Sequence, residues 1–88
     1  MFTKYAKRFY LEPADGRASF YNKCFVELID GEAVLYSYNV IICIYNLSKK
    51  TLFKTKYFNY SATTKRHQKS FFNFYDITPE IIESAEEV

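Results

Sequence analysis

The sequence predicts a single α+β domain spanning residues 1–88: a three-stranded antiparallel sheet, with the N-terminal segment available as a fourth strand, packed on one face by a helix and followed by a short C-terminal helix. Three observations carry this. From Ala18 to Phe58 the chain is a succession of apolar, β-branched and aromatic runs, punctuated by Asp30-Gly31 and Leu47-Ser48-Lys49-Lys50. After Thr63-Thr64, the residues His67, Phe71, Phe74 and Tyr75 recur at helical spacing. Finally, Thr78-Pro79 pairs a capping hydroxyl with a proline at the first helical position.

The sheet register follows from face parity. A three-residue loop, Ile29-Asp30-Gly31, places glycine in the left-handed conformation it suits and opposes Val26 to Val34 and Cys24 to Tyr36. With a four-residue second loop, one face becomes Phe20, Cys24, Val26, Leu28, Val34, Tyr36, Tyr38, Val40, Ile42, Ile44, Phe53 and Tyr57, which is expected to be the core. The opposite face reads Tyr21, Lys23, Phe25, Glu27, Leu35, Ser37, Ile41, Cys43, Tyr45, Leu52, Lys54, Lys56 and Phe58. It is too apolar for a plain solvated surface and too basic for a core. A cover is expected, from the N-terminal residues Tyr5, Phe9, Tyr10 and Leu11, a partner subunit or a ligand.

Thr63 or Thr64 suits the N-cap of the main helix, read over Lys65–Tyr75, with its aromatic stripe on the sheet and Lys65, Arg66 and Lys69 pointing away. In the acidic stretch 76–88, Glu80 suits the positive end of the second helix. Glu86 and Glu87 oppose the dipole at its other end, so the last residues are expected to fray.

A chain of 88 residues has surface for one core, and its aromatic content of 20% compensates for small size with large apolar area per residue. No apolar run approaches the about 20 residues of a membrane span, and the start lacks the organisation of a signal peptide. A cytoplasmic protein with no membrane contact is therefore expected. Cys24 and Cys43, nineteen positions apart inside strand-like runs, form neither a disulfide framework nor a CxxC pair, and read as reduced, partly buried thiols. With one histidine, a structural zinc set is not available, and no cofactor motif is present.

The net charge of +2 conceals a polarised chain. Residues 33–75 contain no Asp or Glu but carry Lys49, Lys50, Lys54, Lys56, Lys65, Arg66 and Lys69. Residues 76–88 carry Asp76, Glu80, Glu83, Glu86 and Glu87 and no base.

Catalysis needs a nucleophile, a base and a charge stabiliser within mutual reach. His67 points toward the sheet beside Phe71 and reads as a hydrogen-bonded core histidine in preference to a general base. Nothing in the spacing favours a thiol pair of Cys24 or Cys43 with His67. The acid-free stretch offers no paired carboxylates, and a non-enzyme is expected. The Tyr60–His67 segment reads first as a strand-to-helix turn whose hydroxyls satisfy backbone donors, and second as a helix start able to hold an anion through Thr64, Lys65 and Arg66.

The segments Ala18-Ser19-Phe20-Tyr21-Asn22-Lys23-Cys24, Leu35-Tyr36-Ser37-Tyr38 and Tyr60-Ser61-Ala62-Thr63-Thr64-Lys65-Arg66-His67 with Phe71-Phe72 carry a resemblance. The chain resembles a family of small uncharacterised bacteriophage and mobile-element proteins that have S-F-Y-x-K, S-Y-x-T and Y-S-x-T-T-x-R-H-x-x-x-F segments in that order. The resemblance covers about Ala18 to Phe74, with Asn22 standing where the family has Gly and Val40 where Thr is frequent. It implies a shared fold and a phage or mobile-element origin, and no catalytic site.

Together these observations predict a non-catalytic phage or mobile-element accessory protein. It would bind a host protein or nucleoprotein complex as an inhibitor or modulator of host machinery, anti-defence proteins such as CRISPR inhibitors being one such class. The expected macromolecule-binding residues are Lys23, Tyr45, Lys54, Lys56, Phe58, Tyr60, Thr64, Lys65, Arg66 and Lys69. Two alternatives stand beside it. The basic, aromatic face could bind nucleic acid directly, through phosphate contacts and base stacking, or it could be the seam of a homodimer.

Overall fold

The computed structural model describes residues 7–13, 20, 22–59 and 61–87. The sheet has six strands, not three, in spatial order identical to chain order. They are β1 (Lys7–Tyr10), β2 (Cys24–Ile29), β3 (Glu32–Ser37), β4 (Val40–Asn46), β5 (Thr51–Lys54) and β6 (Glu86–Glu87), with α1 (Ala62–Phe74) and α2 (Pro79–Glu83) between the last two. Strands β1 to β5 form an antiparallel meander, and β6 adds in parallel to β5, making the sheet mixed.

Three local causes account for the difference from the sequence-based expectation. First, what reads as one long strand from Glu32 to Asn46 is a hairpin. Tyr38 and Asn39 both adopt left-handed conformations, with φ of 53° and 68°, and turn the chain in two residues. Second, β2 and β3 are joined by two residues and not three. Asp30 and Gly31 have φ of 49° and 81°, and Ile29 pairs with Glu32. This opposes Val26 to Leu35 and Cys24 to Ser37, so the β3 residues facing the core side are Ala33, Leu35 and the polar Ser37 rather than Val34 and Tyr36. A one-residue change in a turn reverses every side chain beyond it. Third, the tail does not fray: after α2 the chain returns to the sheet edge, where Glu86 lies beside Phe53 and Glu87 beside Lys54.

A β-bulge between the pairs Leu35–Cys43 and Tyr36–Ile41 inserts Ile42. The extra residue lets Ile42 and Cys43, adjacent in sequence, both be buried while Ile41 is left 37% exposed. Thr55 closes the bulged end, donating its N–H to the Ile42 carbonyl at 3.0 Å and its hydroxyl to the Ile41 carbonyl at 2.7 Å. At the other end of β4 the four-residue turn Leu47–Lys50 is organised by Asn46, whose Oδ1 accepts from the Lys49 N–H at 2.8 Å and the Ser48 hydroxyl at 3.1 Å.

The core lies between the inner face of the sheet and the two helices. Cys24, Val26, Ala33, Leu35, Ile42, Cys43, Tyr45 and Leu52 from the strands meet Phe71 of α1 and Ile77, with Leu11 and Phe20 closing the edge. Both cysteines are free and buried. Helix α1 begins earlier than expected, and its N-cap is Ser61, not Thr63 or Thr64. The Ser61 Oγ accepts the Thr64 N–H at 3.1 Å. Its buried stripe is Thr64, His67, Gln68, Ser70 and Phe71, whereas Phe74, expected on the sheet, is 56% exposed beside Phe9. Helix α2 starts as the sequence indicates, with Thr78 accepting the Ile81 N–H ahead of Pro79. Gln68 Nε2 donates to the Phe58 carbonyl and ties the turn after β5 to α1.

Replacing Ser61 with alanine is expected to lower stability by about 1 kcal/mol, the usual worth of an N-cap hydroxyl. A urea midpoint within error of the parent protein would show that Ser61 contributes no more than solvent does.

Candidate functional site

Strand β3 ends and α1 begins at the same end of the molecule, and there a buried polar network forms. The Ser61 hydroxyl donates to Thr64 Oγ1 at 3.1 Å, Thr64 Oγ1 lies 3.3 Å from Ser37 Oγ, and Ser37 Oγ lies 2.7 Å from Nδ1 of His67. Ser37, Thr64 and His67 are at most 2% exposed. The hydroxyl chain satisfies Ser37, Thr64 and one nitrogen of the ring, while Nε2 has no hydrogen-bond partner among the described residues. Phe20 packs edge-on against the imidazole at 4.4 Å and carries the Arg66 guanidinium over its own ring at 5.1 Å. Burial, and then the charge of Arg66, lower the His67 pKa to about 4.

The three segments that carry the family resemblance thus meet at one point: Phe20 from the first, Ser37 and Tyr38 from the second, Thr64, Arg66 and His67 from the third. Beside this network opens a pocket of about 410 Å³, lined by Ser37, Tyr38, Val40, Ile42, Tyr57, Ser61 and Thr64. Its lining is aliphatic at Val40 and Ile42 and hydroxylic at Ser37, Ser61 and Thr64, and the lining residues Tyr38 and Tyr57 are 50% and 37% exposed.

Chemically, the network is built for hydrogen bonding. A neutral imidazole with a pKa near 4 is a weak base at neutral pH. Burial pushes the Cys24 thiol up to about 12 and Cys43 higher still, the reverse of what an activated nucleophile requires. Among the described residues no group of His, Cys, Asp and Glu is placed to hold a metal ion.

The expected binding residues divide. Lys23, Lys56, Lys65 and Arg66 belong to segments that meet at this end, although none of them lines the pocket. The Lys23 carbonyl accepts the Tyr38 N–H at 2.9 Å, Lys56 Nζ sits 5.2 Å from the Tyr57 ring, and Lys65 and Arg66 lie on the first turns of α1. Thr64 is at the pocket wall but buried. Tyr45 is 4% exposed and packs against Tyr75, so it cannot meet a partner without opening the core. Lys54 and Phe58 are half-buried against each other on the helix side of the sheet, and Phe58 also meets Phe72. Lys69 is exposed farther along α1, near Asp76 and Thr78. Tyr60, like Tyr5 and Tyr21, falls outside the described residues.

Correcting the register also changes the outer sheet face, which none of the described helices covers. Across four strands it presents the row Tyr10, Phe25, Tyr36 and Ile41. The rings of Phe25 and Tyr36 stack at 4.6 Å, Tyr10 meets Phe25 edge-on at 5.7 Å, and the Arg8 guanidinium lies 4.4 Å above Phe25. Arg8 also pairs with Glu27 at 2.6 Å. That hydrogen bond, followed by one with Tyr36, holds the Glu27 carboxyl below the usual carboxylate range. Of the expected cover, Phe9 and Leu11 turn to the core and Tyr10 extends the outer row, so β1 lies beside this face and not over it.

The role of Ser37 and the aromatic row escaped the sequence reading. Ser37 inside an apolar run was the available signal, since a buried hydroxyl needs a partner and the one histidine could supply it.

No helix among the described residues is long and apolar enough to cross a membrane. Neither a curated protein nor a solved structure matches the chain. One family model does, over residues 9–86, a span that takes in the buried network, the pocket and the aromatic row. The chain belongs to the family of unknown function DUF8033.

Proposed function

We propose that this protein is a non-catalytic accessory protein of phage or mobile-element origin, acting in the host cytoplasm by binding a host protein and modulating its machinery. The observation that carries this reading is the outer row Tyr10–Phe25–Tyr36–Ile41 with Arg8 over it. Tyrosine and arginine on a surface that the helices leave uncovered are the composition of interface hot spots. Stacked rings hold their geometry before a partner arrives, which lowers the ordering cost of association. Anti-defence inhibition is the class of modulation that the resemblance suggests.

The test is capture from a nuclease-treated host lysate, comparing the parent protein with a Tyr10→Ala/Tyr36→Ala variant whose fold is verified by circular dichroism. One protein retained in stoichiometric amount, with affinity reduced about tenfold or more in the variant, is the expected result. Retention unaffected by the variant, or nothing retained, rejects this surface as the interface.

A further inference from the structure

We propose that the pocket between the Tyr38-Asn39 turn and the start of α1 binds a nucleotide, with the base stacked on a lining tyrosine and the phosphate toward Lys56 beside it. The cavity, about 410 Å³, is in the size range of small-ligand sites and follows their usual construction: an apolar lining with a few convergent polar groups. Its shape and chemistry select the ligand. Val40 and Ile42 supply an aliphatic lining, and Tyr38 and Tyr57, 50% and 37% exposed, supply rings on which a base can stack.

The hydroxylic wall adds a polar requirement. Ser37, Ser61 and Thr64 are linked in one chain ending at His67, and each hydroxyl can donate or accept. Reversing the chain exchanges the tautomer of a neutral imidazole that has no other partner. Ser61, the partly exposed end of this chain, can then offer either a donor or an acceptor to an aromatic edge, which suits a nucleobase and not a plain hydrocarbon.

Charge then separates a nucleotide from an uncharged heteroaromatic. Lys56 lies against the Tyr57 ring, Lys23 adjoins Tyr38 through its backbone, and Lys65 follows the pocket-lining Thr64 on α1. Among the described residues, none lining the pocket is acidic. A base stacked on Tyr57 would bring its phosphate within reach of the Lys56 ammonium, with Lys23 and Lys65 on the adjoining segments. The same chemistry is offered by a free mononucleotide or by one unit of a single strand.

The experiment is heteronuclear NMR titration of the full chain with nucleoside monophosphates, a short oligothymidylate, and inorganic phosphate. The expected result is shifts confined to Tyr38, Val40, Ile42, Tyr57, Ser61 and Thr64. Saturation by the monophosphate identifies a free nucleotide as ligand, and saturation by the oligonucleotide alone identifies a strand; both support the pocket. Tyr57→Ala should weaken binding about tenfold, as expected for loss of one stacking ring. Tyr38→Asn should do the same without breaking the turn, because asparagine tolerates the left-handed conformation at this position. No shift up to millimolar nucleotide, equal shifts with phosphate alone, or shifts spread over the lysines with none in the pocket would each overturn the proposal. Because Tyr10 and Tyr36 lie on a different face, the variant that tests protein capture should bind nucleotide unchanged, and the two readings fail separately.

Discussion

Truncating Phe71 to alanine is expected to cost about 4 kcal/mol and leave the domain close to unfolding at room temperature. Phe71 has no exposed surface and is the aromatic side chain through which α1 reaches the strand residues of the core. Its ring packs against Tyr75 at 5.3 Å, and Tyr75 in turn packs against Tyr45 of β4, so the cavity would open between helix and sheet. A chain of 88 residues has roughly 4 to 13 kcal/mol of stability in total, so a loss of this size is most of the lower estimate. Phe71→Leu, which keeps much of the volume, should lose less than half as much. Urea denaturation followed by circular dichroism measures both. A loss under about 1 kcal/mol for Phe71→Ala would mean that α1 does not depend on this contact.

The second large effect is on pH dependence. His67 has its pKa lowered to about 4 in the fold, against 6.5 when exposed. Between these values the unfolded chain binds the proton and the folded chain does not. Stability therefore rises with pH in that window, is complete above 6.5, and falls by about 3 kcal/mol by the time the pH reaches about 4. The cause is burial first and Arg66 second. Protonation would place a cation beside Phe20 with its Nε2 unpaired. Urea midpoints measured across this window should drop in the parent protein and drop much less in His67→Gln, which can keep a hydrogen bond to Ser37 but cannot titrate. Glu27 acts at lower pH: its carboxyl is held below the ordinary range by Arg8, so its contribution is lost only as the pH falls through the carboxylate region. A flat parent profile, or an equally steep one in the variant, would contradict the buried neutral state of His67.

Both effects arise from residues that the sequence marks by type and spacing, yet their partners come from elsewhere. The helical recurrence of His67 and Phe71 is visible because side chains four apart share a helix face. Phe74 obeys the same spacing and is 56% exposed, its ring meeting Phe9 of the edge strand β1 and Tyr75. The sheet differs from the sequence-based expectation at two turns, the first being Asp30-Gly31. A two-residue and a three-residue loop are both compatible with those residues, and the choice reverses every face after it. The Tyr38-Asn39 turn lacks glycine, and its two left-handed residues cost energy that a propensity argument counts against them. Its one sequence clue is length: a strand from Glu32 to Asn46 would be far longer than strands usually are.

The candidate site divides in the same way. Lys23, Lys56, Lys65 and Arg66 can be named from charge pattern, because an acid-free stretch is visible in the linear chain. Removing Tyr45 and Thr64 from the surface, and placing Tyr10 and Tyr36 beside the buried Phe25 on the outer face, required the observed pairing.

By itself, then, the sequence determined the apolar and aromatic character of the sheet region, the position of α2 behind Thr78-Pro79, the burial of His67 and the basic middle of the chain. Each of these depends on the nature of a residue or its near neighbours. The tertiary structure alone decided which face each strand presents, that Ser37 partners His67, and that β6 joins β5 through residues far apart in sequence. Such pairings are set by turn geometry and by the packing of distant segments, where alternatives differ by one residue in register and little in local energy.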